Sequence, residues 1–326
     1  MTVADRRVQR PVGRLLPGDH LCVTFSCDAE RDAVVGAFVW HGLARGEKVL
    51  YLADGAAAPA VLARLRRGGV ADPDRFVSQG QLALAATLTT ERVLWPLSAQ
   101  IDRALAEGYP ALRVASEHGL AGGWVGGVAG PLPEYEAQVD RVCGGGRATA
   151  ICQYDRRMLD EGTLSAVLEA HRGQAVRDPE YDDGAFSATP TCCPVGVRFV
   201  GQLDLTSRAG AARALGAAVR RAGPRGEVHV DLGGLVFADV AGLRLFADTA
   251  EQPHDQTLVL VAPQPLVAEM LTRLGWDRLA RLRVVRESPA GRQPALRQPD
   301  GRQPDGRGLD GRGPDGREPD RSGGAP

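Results

Sequence analysis

The sequence predicts an α/β protein with two folded units and a disordered tail. Strand-like apolar segments alternate with segments of helical periodicity from residue 19 to about 172, and the alternation returns at 195–288. Such alternation is typical of a mostly parallel sheet with helices packed on its faces. The 326 residues are enough for about two domains, each with its own core.

The first unit spans 18–172 and follows an N-terminal extension at 1–17. Its strand-like segments are HLCVTF, KVLYLA, LALA, ALRVAS and ATAICQY. Its helix-like segments lie at 29–45, 56–67, 91–107, 133–143 and 157–171. We expect a ligand site in the loops at the strand ends of such a sheet.

Residues 173–194 lose this periodicity and gather Pro, Asp and Gly, which predicts a linker. The second unit, 195–288, is smaller and is again α/β. Its strand-like segments are VGVRFVGQLD, EVHVDLGG, TLVLVA and RLRVV, and its helices lie at 207–221, after Asp239 and at 263–274.

The tail at 289–326 is built on a five-residue repeat of the type GRQPD and is rich in Gly and Pro. It has almost no large apolar side chains, so burial cannot offset the entropy lost on ordering, and we expect disorder. Its Arg and Asp charges nearly cancel, and the formal net charge of the whole chain is -1. These charges argue against a general attraction to nucleic acid or to an anionic membrane.

The six cysteines are scattered, and the N-terminal segment lacks the apolar core of a signal peptide. No apolar run approaches the roughly 18 residues of a membrane span. We therefore expect a cytoplasmic protein with reduced thiols, without a disulfide framework and without a membrane anchor.

One predicted strand carries two side chains that bind ligands or metals in other proteins. His20 and Cys22 lie two residues apart and so share one face, where Cys152 joins them only if the fold brings its strand near. Their spacing matches no standard zinc pattern, and buried cysteine is common in cores, so we expect no metal.

Two further strands end in polar residues. Glu117 ends one strand, and Tyr154 and Asp155 end another. Polar side chains at such ends contact ligands or cap the helices that follow, and the sequence leaves both interpretations open. We take His20, Cys22, Glu117, Tyr154 and Asp155 as the candidate ligand residues.

The sequence shows no recognisable catalytic motif. A Walker A loop needs Gly-Lys followed by Ser or Thr, but the only lysine, Lys48, follows Glu47 and precedes Val49. No Ser/His/Asp or Cys/His set can be placed from spacing alone. We therefore expect no catalytic residues, no cofactor and no enzymatic activity.

The segment FADVAGLRLF, at 237–246, predicts a helix start beside a strand end. Asp239 can cap this helix by accepting hydrogen bonds from its first free amides. Such a start also favours an added phosphate, because free amides and the helix dipole stabilise its charge. Yet Val240 and Ala241, which follow the cap, carry no hydroxyl.

The second unit resembles the STAS domain of anti-anti-sigma factors in VGQLDLTSRAGAARAL, VHVDLGGLVFADVAGLRLF and LVLVAPQPLVAEMLTRLGWDRL. The resemblance implies docking onto a histidine-kinase-like anti-sigma factor or a related regulator. Such a kinase phosphorylates a serine directly after the Asp of an Asp-Ser-Ser-Gly-Leu-like motif, a position that Val240 occupies here, so no phosphoacceptor remains. The residues that the resemblance assigns to partner docking are Asp204, Asp239, Val240, Ala241, Gly242 and Arg244.

The first unit resembles a MEDS domain, a sensory module associated with small hydrocarbon-derived ligands. The matching pieces include GDHLCVTF, GLARGEKVLYLAD, ALAEGYPALRVASE and AICQYDRRMLD. The family is related to RecA-like ATPases without a working phosphate loop, which implies a RecA/Rossmann-like parallel sheet. The resemblance places His20, Glu117 and Tyr154 at recurrent family positions and implies a small hydrophobic ligand.

Together these observations predict a cytoplasmic signalling regulator that controls sigma-factor-dependent transcription by protein–protein interaction. Ligand binding to the sensory domain would replace serine phosphorylation as the input. Two alternatives stay open at this point: an enzyme that acts on a small substrate through His20, Cys22 or Glu117, and a STAS scaffold that binds a non-kinase partner. We expect no nucleic-acid or membrane partner.

Overall fold

Two sheets organise the folded part of the chain in a computed structural model. The structure describes residues 8–54, 56–86, 95–118, 132–253 and 255–286. The first sheet has seven strands and the second has six. The predicted α/β class with a parallel N-terminal sheet is confirmed, whereas the predicted disorder of the 289–326 tail lies outside the described residues.

The strands of the first sheet are β1 (Gln9–Pro11), β2 (His20–Phe25), β3 (Lys48–Ala53), β4 (Leu82–Ala86), β5 (Leu112–Glu117), β6 (Ala148–Asp155) and β7 (Gln174–Val176). Their spatial order is β1-β7-β2-β6-β5-β3-β4, and every neighbouring pair is parallel. The central strands are nearly continuous apolar runs because helices cover both faces of a parallel sheet.

The helices between these strands are α1 (Asp28–Ala44), α2 (Ala58–Arg67), α3 (Pro73–Ser78), α4 (Trp95–Ala106), α5 (Leu132–Cys143) and α6 (Glu161–Ala170). Alternate residues of β6 show which face each helix covers. Ile151 packs in a core cluster with α1 and α2, whereas Cys152 and Tyr154 pack with α6. Helices α4 and α5 share this second face.

The strands of the second sheet are β8 (Tyr181–Asp182), β9 (Phe186–Cys192), β10 (Val195–Leu203), β11 (Glu227–Ala238), β12 (Thr257–Val261) and β13 (Leu282–Val285). Their order follows the chain, with β8, β9 and β10 antiparallel and β10 to β13 parallel. The accompanying helices are α7 (Arg208–Ala222), α8 (Val240–Glu251) and α9 (Pro265–Arg273). Three phenylalanines run through the centre of this core: Phe186 meets Phe199 edge-on, and Phe199 stacks on Phe246.

Residues 173–194 do not form the predicted linker. They supply β7 to the first sheet and β8 and β9 to the second, so the connection between the sheets is itself paired. The FSATPTC segment alternates buried and half-buried side chains over most of β9, but its Pro and the preceding Asp and Gly obscure that alternation in the sequence. The described part of the N-terminal extension is folded, since β1 joins the sheet edge and Val12 and Leu15 are buried.

The expectation of uniformly reduced thiols is wrong for two cysteines. Cys27, directly before α1, forms a disulfide with Cys193, at the tip of the β9–β10 hairpin. The two residues are 166 positions apart in sequence, and the fold brings their Cα atoms to 6.4 Å. No sequence spacing signals such a pairing, because it depends on how the two sheets meet. Among the described helices, none is long and apolar enough to cross a membrane.

The disulfide should contribute to global stability because it closes a long loop in the unfolded chain. We expect Cys27→Ser to lower the free energy of unfolding by about 2–5 kcal/mol. Denaturant titration of the oxidised protein measures the change, with Cys192→Ser as the matched control because its thiol stays reduced in the structure. Equal stability of the two variants would contradict a stabilising role for the cross-link.

Candidate functional site

Four buried polar side chains converge between the first sheet and helices α5 and α6. His20 begins β2, and Cys152 lies in β6, the neighbouring strand. The register pairs Cys22 with Cys152, so His20 and Cys152 project from the same face. Glu136 lies in α5, and His171 directly follows α6. We call His20, Glu136, Cys152 and His171 the buried cluster.

The Glu136 carboxylate is the centre of the buried cluster. Its Oε2 lies 3.2 Å from Nε2 of His20, 3.2 Å from Nε2 of His171 and 3.5 Å from Sγ of Cys152. Its Oε1 accepts a hydrogen bond from the Tyr154 hydroxyl. One carboxylate therefore ties together side chains from β2, β6 and the end of α6.

Hydrogen bonding keeps Glu136 ionised although the side chain is fully buried. Burial raises the pKa of the Glu136 carboxyl, but hydrogen bonds from His171 and His20 outweigh it, and the pKa lies well below 4.5. Burial, together with the Glu136 charge, raises the pKa of Cys152 and of Tyr154 well above their ordinary values. At neutral pH the carboxylate is thus the negative group, surrounded by a neutral thiol and a neutral phenol.

Aromatic rings enclose the buried cluster on one side. The His118 ring stacks on Tyr154 with centroids 5.1 Å apart and meets the edge of Tyr135 at 5.4 Å. His171 contacts Tyr154 edge-on at 5.9 Å. Burial lowers the pKa of His118 to about 4, against the opposing attraction of Glu136, so its ring is neutral at pH 7.

The five candidate ligand residues fall into two groups. His20 and Tyr154 belong to the neighbourhood of Glu136, and Cys22 packs beside them with its thiol donating to the Gly173 carbonyl at 3.6 Å. Glu117 instead projects from the opposite face of the sheet, because it follows the alternation of β5. His20 is the first residue of its strand, so it lies at the opposite edge of the sheet from Glu117, Tyr154 and Asp155, which lie at or next to the ends of theirs.

Glu117 and Asp155 lie at the carboxyl ends of the neighbouring strands β5 and β6. The neighbouring strands β2 and β6 are followed by α1 and α6, which pack on opposite faces. In α/β sheets, ligands typically bind outside the strand ends at such a reversal. We call this switch point, at the carboxyl ends of β2, β5 and β6, the crevice.

Ion pairs bridge the crevice from one side to the other. Arg157 contacts Asp155 at 2.6 Å and Asp28, the first residue of α1, at 2.8 Å. Glu117 accepts hydrogen bonds from Tyr51 and Arg64, each at 2.6 Å. The hydrogen bond from Arg157 and the charge of Arg31 lower the pKa of Asp28. Asp155 additionally caps the 3-10 turn after β6 through the Arg157 amide.

The second sheet presents the residues expected to bind a partner at its own carboxyl edge. Asp239 caps α8 by accepting the Gly242 amide at 2.5 Å, and its own amide donates to the Leu203 carbonyl at 3.1 Å. Gly242 packs so closely that an added Cβ would lie 2.7 Å from that carbonyl oxygen. The register pairs Leu203 with Ala238, so Asp204 and Asp239 follow adjacent strand ends.

Large apolar side chains are exposed around the Asp239 cap. Val240 is 51% exposed, Leu205 77%, Val236 71% and Phe237 47%. A register shift in β11 leaves Val236 without a direct partner in β10, and such a bulge re-aims side chains outward. We call Leu205, Val236, Phe237 and Val240 the docking surface. Ala241 is half-buried beneath it, and Arg244 is exposed one turn later, paired with Asp248 at 3.2 Å.

Sequence reasoning missed Glu136, His171 and Arg157. Glu136 lies in an amphipathic helix in which a carboxylate ordinarily faces water, and nothing local indicates that this one points inward. His171 follows a helix end, where a histidine is common. Only the neighbouring positions of β2 and β6 bring these residues to His20 and Cys152.

Two family matches cover most of the described chain. Residues 19–172 match the family described as MEDS: MEthanogen/methylotroph, DcmR Sensory domain, and residues 193–285 match the one described as Mlab, STAS domain. No curated protein matches the chain. Among solved structures, the flagellar accessory protein FlaH from Methanocaldococcus jannaschii is 9% identical, with a TM-score of 0.36, over 58% of this chain and 81% of the FlaH chain.

The fold and these matches define a signalling regulator with a sensory unit and an interaction unit. The sensory unit, at 19–172, is a MEDS domain. The interaction unit, at 193–285, is a STAS domain, a protein–protein interaction module like that of anti-sigma-factor antagonists.

The neutral His118 ring predicts a loss of stability in mild acid. The pKa is 6.5 without the fold and about 4 within it, so the unfolded chain binds the proton first as the pH falls. Above pH 6.5 the effect is absent, and between pH 6.5 and 4 it removes up to about 3 kcal/mol. His118→Phe, which keeps an aromatic ring, should flatten this dependence in denaturant titrations at pH 7, 6 and 5. A His229→Gln control in the STAS domain should keep it, and an unchanged slope in His118→Phe would refute the assignment.

Proposed function

We propose that this protein regulates the availability of a sigma factor by binding rather than by catalysis. The MEDS domain receives a small hydrocarbon-derived ligand, and the STAS domain docks onto a histidine-kinase-like anti-sigma factor. The docking surface carries this proposal, because four exposed apolar side chains surround the helix cap that resembles the docking motif of anti-sigma-factor antagonists. Exposed apolar groups clustered at one edge are typical of a protein interface.

Covalent control is absent from the proposed mechanism because the helix start lacks a hydroxyl. Val240 follows the Asp239 cap, and the nearest hydroxyls are engaged elsewhere. Ser207 is buried and donates to the Gln202 carbonyl, whereas Thr206 donates to Asp204. Thr249 is buried in α8 and donates to the Leu245 carbonyl. We therefore place the input in the sensory domain.

The crevice is the proposed ligand site because it adjoins the connection to the STAS domain. Asp28 lines the crevice, and the preceding residue, Cys27, is bonded to Cys193 of the STAS hairpin. The same junction includes the His41 ring, 2.6 Å from Asp178, and Arg14, 2.6 Å from Asp182. A ligand that displaces the Arg157 bridge would move the start of α1 and, through the disulfide, the hairpin.

Charge placed on the docking surface should weaken partner binding. We expect Val240→Asp to reduce the affinity for the kinase-type anti-sigma factor of the source organism at least about tenfold, because a buried interface position would acquire an unpaired charge. Leu274→Asp is the matched control, since Leu274 is exposed on the same domain but lies after α9. Biolayer interferometry compares the three proteins. An equal loss of affinity in both variants, or no loss in either, would contradict partner binding at the docking surface.

Restoring a hydroxyl should restore covalent control. Val240→Ser places an acceptor at a helix start where an added phosphate is stabilised by free amides. We expect kinase and ATP to phosphorylate this variant and to leave the wild type unmodified, as read by intact-protein mass spectrometry. Stoichiometric phosphate on any serine or threonine of the wild-type STAS domain would contradict an input confined to the sensory domain.

Binding of a small ligand in the crevice should depend on Glu117. Glu117→Gln removes the negative charge that pairs with Arg64 and leaves one amide oxygen as an acceptor, which alters the crevice while conserving the side-chain shape. A screen of small halogenated, hydroxylated and aminated hydrocarbons should yield compounds that raise the melting temperature of the wild type by mass action. The rise should be lost in Glu117→Gln and kept in Glu107→Gln, whose carboxylate follows α4. A ligand-induced rise in melting temperature that is the same in both variants as in the wild type would place the ligand elsewhere.

A further inference from the structure

The buried cluster takes no part in the proposed function, since that function uses the crevice on one side of the sheet and the docking surface of the STAS domain. We propose that His20, Glu136, Cys152 and His171 bind a single Zn²⁺ ion in the core of the sensory domain. This site goes beyond sigma-factor control and does not depend on it.

The spacing of the four donor atoms fits a tetrahedral ion. With zinc bonds of about 2.0–2.3 Å, tetrahedral ligands lie about 3.3–3.8 Å apart. His20 Nε2 is 3.3 Å from Cys152 Sγ and 3.2 Å from Glu136 Oε2. Glu136 Oε2 is 3.2 Å from His171 Nε2 and 3.5 Å from Cys152 Sγ. All donor atoms lie within 4.8 Å of one another, so small side-chain adjustments complete the site.

The chemistry of the donors selects zinc over the hard cations. Two imidazole nitrogens, one thiolate and one carboxylate form a mixed set that zinc accepts, whereas Mg²⁺ and Ca²⁺ require oxygen ligands. The charge also balances, because a thiolate and a carboxylate together cancel the two positive charges of the ion. A neutral centre suits a site in which every member is buried.

The surroundings orient the donors as they do in known zinc sites. His171 Nδ1 donates to the Val167 carbonyl at 2.7 Å, which directs Nε2 toward the buried cluster. A histidine ligand typically makes such a hydrogen bond through its other nitrogen. Glu136 Oε1 is held by the Tyr154 hydroxyl, so Oε2 is left for the ion. His20 Nδ1 lies 3.9 Å from Asp140, one turn along α5 from Glu136.

An ion also resolves crowding at one oxygen atom. Three donor atoms, the two imidazole Nε2 atoms and the Cys152 sulfur, lie within 3.5 Å of Glu136 Oε2, which has two lone pairs. A single ion at this point is bonded by one lone pair from each donor atom.

Elemental analysis of the full-length chain tests the site. The protein is purified through a tag that contains no histidine, loaded with zinc and freed of excess metal by gel filtration. We expect about one zinc per chain, and at least about tenfold less in Cys152→Ser and in His171→Ala. Cys143→Ser and His41→Ala are the matched controls, because they remove a buried thiol and a histidine outside the buried cluster, and both should keep one zinc.

Loading the wild-type chain with Co²⁺ tests the site even if Cys152→Ser or His171→Ala impairs folding. Co²⁺ bound to the wild-type chain should show a thiolate-to-cobalt charge-transfer band in the near ultraviolet and the intense visible bands of a tetrahedral ion. Zinc below about a tenth of an equivalent after loading, zinc that survives both substitutions, or cobalt spectra without a thiolate band would each overturn the site. These readouts need no partner and no small ligand, so they are separate from the fate of the sigma-factor proposal.

Discussion

The interior of the sensory domain is organised by the need to neutralise the Glu136 carboxylate. A buried charge without partners is so costly that removing one member of such a pair destabilises a protein by about 3–5 kcal/mol. Three side chains from different segments contact the carboxylate: His20, His171 and Tyr154. The requirement fixes where α5 and the end of α6 sit against β2 and β6.

The two domains are joined by more than a peptide connection. The segment after α6 contributes strands to both sheets, and Cys27 and Cys193 add a covalent bond between a helix start and a hairpin tip. That helix start, α1, lies directly beside the ion pairs of the crevice. A change in the sensory domain thus has a short physical route to the STAS domain. Such a route is what the proposed control of the STAS domain by a ligand of the sensory domain requires.

The family resemblances predict the domain types, and the local sequence predicts the helix cap at Asp239 and the missing hydroxyl at Val240. Local sequence patterns do not predict features that depend on the order of the strands in the sheet. Cys152 reaches His20 because β2 and β6 are neighbours, although their segments are far apart along the chain. The sequence assigns Glu117 and His20 to the same set of candidate ligand residues. Side-chain alternation along β5 instead places Glu117 on the opposite face of the sheet from His20. The 173–194 segment was interpreted as a linker because Pro, Asp and Gly outweighed the weak alternation of β9.

The proposed zinc site in the core of the sensory domain is defined by its four ligands. Zinc K-edge X-ray absorption of the loaded full-length chain measures it directly. The account predicts one sulfur scatterer at about 2.3 Å, three nitrogen or oxygen scatterers at about 2.0–2.2 Å, and multiple scattering from two imidazole rings. A spectrum with no sulfur, or with six oxygen and nitrogen scatterers, would show that zinc binds elsewhere and that Glu136 is neutralised by protons alone.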